Sequence, residues 1–175
     1  MRVVKWMLIV VVGLVAVFLV GAMLITPTYK VERGIVINAP AKKIYPLVAD
    51  PKAWKRWSIW DQREPNIKVA YWGAPAGQGA KWAWESKDGK GSMEFTAAEP
   101  DKSLRYLLTF IDMGTTSTGA FTFRPEGNGT RVSWTNEGDM GGNPMMRWFA
   151  PFMEKMIGPD FDGGLANLKA LAEKS

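Results

Sequence analysis

The chain contains no cysteine and no histidine among its 175 residues. The first absence excludes disulfides, thiolate metal sites and cysteine nucleophiles. It leaves the redox compartment open, because a thiol-free chain suits oxidising and reducing surroundings alike. The second excludes Ser-His-Asp and Cys-His triads and the usual zinc ligand sets, and removes the side chain that most readily moves protons near neutral pH. Any acid–base chemistry falls to Asp, Glu, Lys or Tyr. Excess charge is scarce too. Net charge is +5, and setting aside Arg2 and Lys5 leaves 20 basic against 17 acidic side chains, or +3. No run of Lys or Arg tracks one face as a phosphate-binding surface requires, so nucleic acid is not an expected partner. No internal repeat or low-complexity linker divides the chain. Beyond the first apolar run about 150 residues remain, enough for one domain with a sizeable core.

That apolar run is MLIVVVGLVAVFLVGAMLI, residues 7–25, 19 residues without a charge. As a helix rising about 1.5 Å per residue it covers about 30 Å, one hydrocarbon core. Arg2, Lys5 and Trp6 precede it, and Pro27 and Tyr29 follow where a helix would meet the far headgroups. A cleaved signal peptide is the competing reading, with Val20-Gly21-Ala22 as the small-residue site. The run continues through Met23, Leu24 and Ile25, past an ordinary signal core, which favours a retained anchor. Residues 1–28 are therefore expected to form a membrane anchor and residues 29–175 a separate domain. The expected topology places that domain on the extracytoplasmic side. Lys30, Arg33, Lys42 and Lys43 run against the basic-residue bias, but a long downstream domain translocates despite its charge.

Residues 29–38 alternate as a strand, with Val31, Arg33, Ile35 and Ile37 on one face. Asn38 and Pro40 read as the cap and first turn of a short helix, kept short and bent by Pro46 and Pro51. Strand signals follow at 67–72, 80–86, 92–99, 103–111, 116–125 and 130–138, separated by turn sequences that include Asp88-Gly89 and Glu126-Gly127-Asn128-Gly129. This is an antiparallel meander. Asn143 and Pro144 then open a helical pattern over 145–173, in which Pro151 and the Gly158-Pro159 pair should kink or split the helix. One helix must cover a strongly curved sheet, an arrangement that tends to leave an apolar cavity. The fold class is α+β, a helix-grip in which a curved antiparallel sheet wraps a long C-terminal helix, behind an N-terminal transmembrane helix.

The stretches "VINAPAKKIYPLVADPKAWKRWSIW", "GAKWAWES", "GNGTRVSWTNEGDM" and "GPDFDGGLANLKALAE" resemble the SRPBCC superfamily, also called START-like or birch-pollen-allergen-like. Within it the chain is similar to the membrane-anchored bacterial group labelled polyketide cyclase/dehydrase-like, over roughly residues 29–173. The resemblance implies the helix-grip fold. It also implies a binder of lipids, sterols, polyketides or other apolar molecules, of which only some are enzymes. It carries no catalytic motif across.

In "WKRWSIWD", Trp54, Trp57 and Trp60 recur every third residue and share one side of a helical turn. They read as a plug at one end of the core, as pocket wall, or as a bilayer contact helped by Lys52, Lys55 and Arg56. Stacking on bases lacks the basic groove it would need. Met145, Phe149, Phe152, Met153 and Met156 recur at helical spacing as core or as an adaptable cavity wall. With Trp57, Trp82, Trp84, Phe95 and Phe121 they make up the candidate ligand-binding set. No catalytic residue, metal ligand or cofactor is assigned. The expected function is binding of a small apolar ligand between sheet and C-terminal helix, with the membrane engaged through residues 7–25. A cyclase or dehydratase would need a buried Asp, Glu or Tyr in the cavity, with Asp61, Glu64, Glu85, Glu94, Glu137 and Asp139 as the acidic candidates. A protein-interaction module with a filled core is the further alternative.

Overall fold

A computed structural model of the chain describes residues 2–87 and 89–174. Helix α1 (Arg2–Leu24) leads into strand β1 (Thr28–Ile37). Helix α2 (Ala41–Ala49), a 3₁₀ turn (Pro51–Arg56) and helix α3 (Ile59–Arg63) follow. Six further strands come next: β2 (Lys68–Gly73), β3 (Ala80–Ser86), β4 (Gly89–Glu99), β5 (Ser103–Phe110), β6 (Thr115–Glu126) and β7 (Gly129–Asp139). Helix α4 (Pro144–Arg147), a 3₁₀ turn (Ala150–Phe152) and helix α5 (Met153–Lys174) close the chain. The seven strands make one antiparallel sheet in the order β1-β7-β6-β5-β4-β3-β2. A register shift between Phe95 and Ala97 adds to its bend.

The helix-grip expectation holds. Phe161, Leu165, Leu168 and Ala172 of α5 are buried on the concave face of the sheet, each large side chain worth roughly 1.5–3 kcal/mol of burial. Helix α5 is fastened to the edge strand β1, where Lys169 Nζ donates to the Val36 carbonyl at 2.6 Å. The Asn38 amide donates to Glu173 at 2.7 Å. Gly158 lets the helix ride over Arg33, because a Cβ there would lie 2.2 Å from the guanidinium.

Three local expectations are corrected. Pro40, not Asn38, occupies the cap of α2, without a side-chain hydrogen bond. Asn38 lies two residues too early, and its amide serves α5 instead. The C-terminal helical stretch breaks around Pro151 but runs unbroken through Gly158-Pro159. Pro159 is on the exposed side, where the missing amide costs one solvated hydrogen bond, whereas Pro151 falls in the 3₁₀ turn that separates α4 from α5. Asn143 does cap α4 as expected, accepting from the Met145 amide at 2.9 Å. Finally, Trp54 and Trp57 are buried in the core as expected, but against the middle of the strands, beside Phe95, Phe121 and Trp134, and not at one end of the sheet. Of the turn expected at Asp88-Gly89, Asp88 lies outside the described residues.

Candidate ligand site

The concave face has two halves of different character. The deep half is filled by aromatic rings. Trp54 and Trp57 lie 4.7 Å apart, centroid to centroid, because a 3₁₀ turn eclipses side chains three residues apart. Trp54 meets Trp82, Phe95, Phe121 and Trp134 at 5.4–6.2 Å. Trp134 stacks on Phe121 and on Phe161 of α5, the latter at 3.9 Å and 6° between planes. The indole N–H groups are satisfied, Trp54 donating to the Val48 carbonyl and Trp57 to that of Leu47. Trp60 stands edge-on to Trp134 and Phe161, partly exposed. Its helix α3 is tied to α5 by a two-pronged pair between Arg63 and Asp160. A further bond from Asn167 to Gln62 adds to this tie.

The outer half, towards the end where β1 starts, is built differently. Three aromatic residues face glycines directly across the strand pairs: Tyr106 opposite Gly119, Tyr29 opposite Gly138, and Trp84 opposite Gly91. Each ring lies flat over its glycine, so that a Cβ would meet it at 2.1, 2.6 and 2.3 Å respectively. The rings thereby make a floor instead of projecting into the grip. Into this floor is set a neutral polar cluster. Tyr106 Oη donates to the Thr135 carbonyl and accepts from Trp134 Nε1 at 2.9 Å. Asn136 Nδ2 donates to Ser117 Oγ at 3.1 Å, and Asn136 Oδ1 accepts from Tyr29 Oη at 3.0 Å. Met153 and Ile157, two turns and one turn before Phe161 on the inward face of α5, are half-buried above this region, as is Leu108 in the sheet.

Burial pushes the Tyr106 hydroxyl well above the ordinary tyrosine range, more than its hydrogen bonds from Asn136 and Trp134 pull it down. Tyr29 is raised by burial as well. Both stay neutral at physiological pH, with the Tyr106 proton committed to the Thr135 carbonyl and the Tyr29 proton to Asn136, so that only Tyr29 Oη keeps a lone pair free to accept from a hydroxyl. The carboxylates face elsewhere. Glu85, Glu94 and Glu137 pair with Lys90, Lys81 and Lys30 on the outer face of the sheet. Asp139 accepts from the Gly141 amide, and Glu64 is turned towards the Lys87 amide. Asp61 sits in the first turn of α3. Among the described residues, no group of three or more Asp or Glu side chains is arranged to hold a metal.

Of the candidate ligand contacts, Trp57, Phe95 and Phe121 belong to the packed half, and Trp82 is buried against Phe95. Trp84 and Met153 border the outer half. Met145, Phe149, Phe152 and Met156 point outwards, with Phe149 46% and Phe152 53% exposed. The break around Pro151 rotates Met145, Phe149 and Phe152 off the stripe that a single continuous helix would have turned inwards, and Met156 lies on the outward side of α5. Two shallow depressions among the described residues are open to the surface. One, of about 450 Å³, is bounded by Thr28, Tyr29, Lys30, Glu137, Gly138 and Asp139, and the other lies along α1. The residues that sequence reasoning passed over are Tyr29, Ser117, Asn136 and the three glycines. Glycine inside a strand pattern was the available signal, since it marks close approach of another group.

A seven-stranded sheet gripping a long C-terminal helix defines a helix-grip protein of the birch-pollen-allergen-like class. The chain belongs to the family described as polyketide cyclase/dehydrase and lipid transport, whose model matches residues 28–173. Solved structures agree in fold. A norcoclaurine synthase from Thalictrum flavumn matches with a TM-score of 0.64 at 14% identity, covering 84% of this chain and 95% of that one. Ara h 8.0201 gives 0.62 at 9% identity, covering 85% and 99%. Protein CV1439 from Chromobacterium violaceum gives 0.60 at 19% identity, covering 83% and 98%. No curated protein matches the sequence at a significant level.

Proposed function

We propose that this protein holds a small hydrophobic or amphipathic molecule in the outer half of the grip, and that α1 anchors it in a membrane beside the source of that ligand. The aromatic–glycine floor carries the reading. Flat rings with a few neutral hydroxyl and amide groups suit a site that buries an apolar body and orients one polar group. Trp82, Trp84 and Met153 are the proposed wall contacts, with Trp57, Phe95 and Phe121 as the packed backing. The family description names lipid transport beside cyclase and dehydrase. The two tyrosines of the cluster are held neutral and spend their protons on Thr135 and Asn136, which favours holding a ligand over acid–base chemistry. For the anchor, α1 is long and apolar enough to cross a membrane, and its last turns pack on the domain, with Ala22 fully buried. A helix that is part of the domain's packing suits a retained anchor better than a cleaved leader. The domain is proposed to be extracytoplasmic.

Native mass spectrometry of the full chain, followed by solvent extraction, tests the reading. The expected result is one discrete class of apolar ligand at a fixed stoichiometry. Ser117→Leu places a branched side chain beneath Met153 and Ile157 and removes a partner of Asn136. It should lower retention at least about tenfold, the equivalent of roughly 1.4 kcal/mol. Lipids that survive this substitution unchanged are annular. A wild-type chain that stays ligand-free after incubation with mixed lipids and aromatic polyketides defeats the proposal in favour of a protein-interaction module.

A further inference from the structure

Outside α1, the large apolar side chains that remain exposed are unevenly placed. Met145, Trp148, Phe149, Phe152 and Met156 occupy α4, the adjoining 3₁₀ turn and the first turn of α5. Ile111 and Met113, both more than half exposed, form the turn between β5 and β6. The strand register puts that turn at the sheet end where Thr28 faces Asp139, the end at which α1 joins β1. Trp60 and Trp72 are the remaining two among the described residues.

The same segment touches α1 directly. Trp148 stacks on Phe18 at 5.7 Å and 23°. Gly21 makes room for its indole, since a Cβ there would lie 2.8 Å from the ring. Phe18 is six residues before the end of α1, about 9 Å along its axis. If residues 7–25 fill the hydrocarbon core, Trp148 lies at a similar depth below its boundary, the depth at which interfacial helices bury their apolar face.

We propose that α4, the 3₁₀ turn and the start of α5, together with the Ile111–Met113 turn, insert into the lipid leaflet from which α1 emerges. The outer half of the grip then docks on the bilayer surface. The proposal rests on the anchored reading above, and the occupant is the lipid leaflet itself. Continuity decides for lipid: the exposed rings extend the lipid-facing surface of α1 sideways through the Phe18–Trp148 stack.

The absence of native cysteine makes the test clean. Single-cysteine variants of the full chain, Phe149→Cys, Met145→Cys, Val12→Cys and Trp72→Cys, are labelled with an environment-sensitive fluorophore and reconstituted into phosphatidylcholine vesicles. Spin-labelled lipids then quench from within the acyl region and iodide from the water. Probes at 149 and 145 should be quenched by shallow acyl labels at least about threefold more than the probe at 72, and should resist iodide. If the probe at 12 is lipid-quenched while those at 149 and 145 behave like that at 72, insertion is overturned and the anchor stands. If the probe at 12 is itself open to iodide, the anchored reading falls and insertion falls with it. Equal protection from both quenchers at 149 and 145 overturns lipid insertion and indicates a protein partner or a second copy of the chain.

Discussion

Replacing Trp134 with alanine is expected to lower the unfolding free energy by about 3–5 kcal/mol. The side chain is 1% exposed and stands at the centre of the filled half. It is stacked between Phe121 and Phe161 and edge-on to Trp54, Trp57 and Trp60. Five rings cannot all close on the vacated volume, because Trp54 and Trp57 are pinned through their indole N–H groups to the backbone of α2. The cavity therefore persists and its cost adds to the lost burial. Thermal unfolding of the full chain in mild detergent, followed by near-ultraviolet circular dichroism, should show a Tm lower by on the order of 10–15 °C. Trp72→Ala, at an exposed site, should change stability by no more than about 0.5 kcal/mol. A Trp134→Ala variant no less stable than Trp72→Ala would show that the rings are not packed as described.

Gly119→Ala should be nearly as damaging, although it adds a single methyl group. The new carbon would lie 2.1 Å from the Tyr106 ring and 2.4 Å from the Thr135 carbonyl oxygen. The second neighbour is backbone within the β6–β7 ladder and cannot step aside. Tyr106 would have to leave its place, and Trp134 Nε1 and Asn136 Nδ2 would lose an acceptor. Overpacking of this kind costs about 1–3 kcal/mol, and a buried donor left unpaired costs a similar amount again, so the expected loss is roughly 3 kcal/mol or more. Gly91→Ala provides the contrast. Its three nearest obstacles are all atoms of the half-buried Trp84 ring. That ring can swing outwards, so the cost should be about 1 kcal/mol and should vanish in a Trp84→Ala background, a coupling that a double-mutant cycle reads directly. Tyr106→Phe should bring little relief to Gly119→Ala, since the Thr135 carbonyl remains.

The strands were legible because alternation and turn chemistry are local. The stretch read as a strand at 80–86 coincides with β3, and the segment read at 130–138 differs from β7 by one residue at each end. Burial of Trp82, Phe95 and Phe121 fits the same alternation, and that of Trp57 fits the three-residue spacing of a helical turn. The candidate floor was not legible, because its unit is a pair across strands. Nothing within ten residues of Gly119 says that Tyr106 will lie over it; only the β5–β6 register does. The orientation of Met145, Phe149 and Phe152 was lost for a related reason. Helical spacing predicts one stripe only while the helix continues, and of two proline-containing sites the chain breaks at one and absorbs the other.

Only Ile25, Thr26 and Pro27 separate α1 from β1, a reach of about 10 Å even fully extended. The Pro27 carbonyl is already committed to the Met140 amide at 3.0 Å. Together with the Phe18–Trp148 stack, this makes the junction a bracket with no slack. Under the proposed anchoring, the domain cannot swing out to meet a partner across an aqueous gap, as a carrier on a long tether would. Its search is confined to two dimensions, set by lateral diffusion in the plane of one membrane. Whatever receives its ligand must come to that surface or share it.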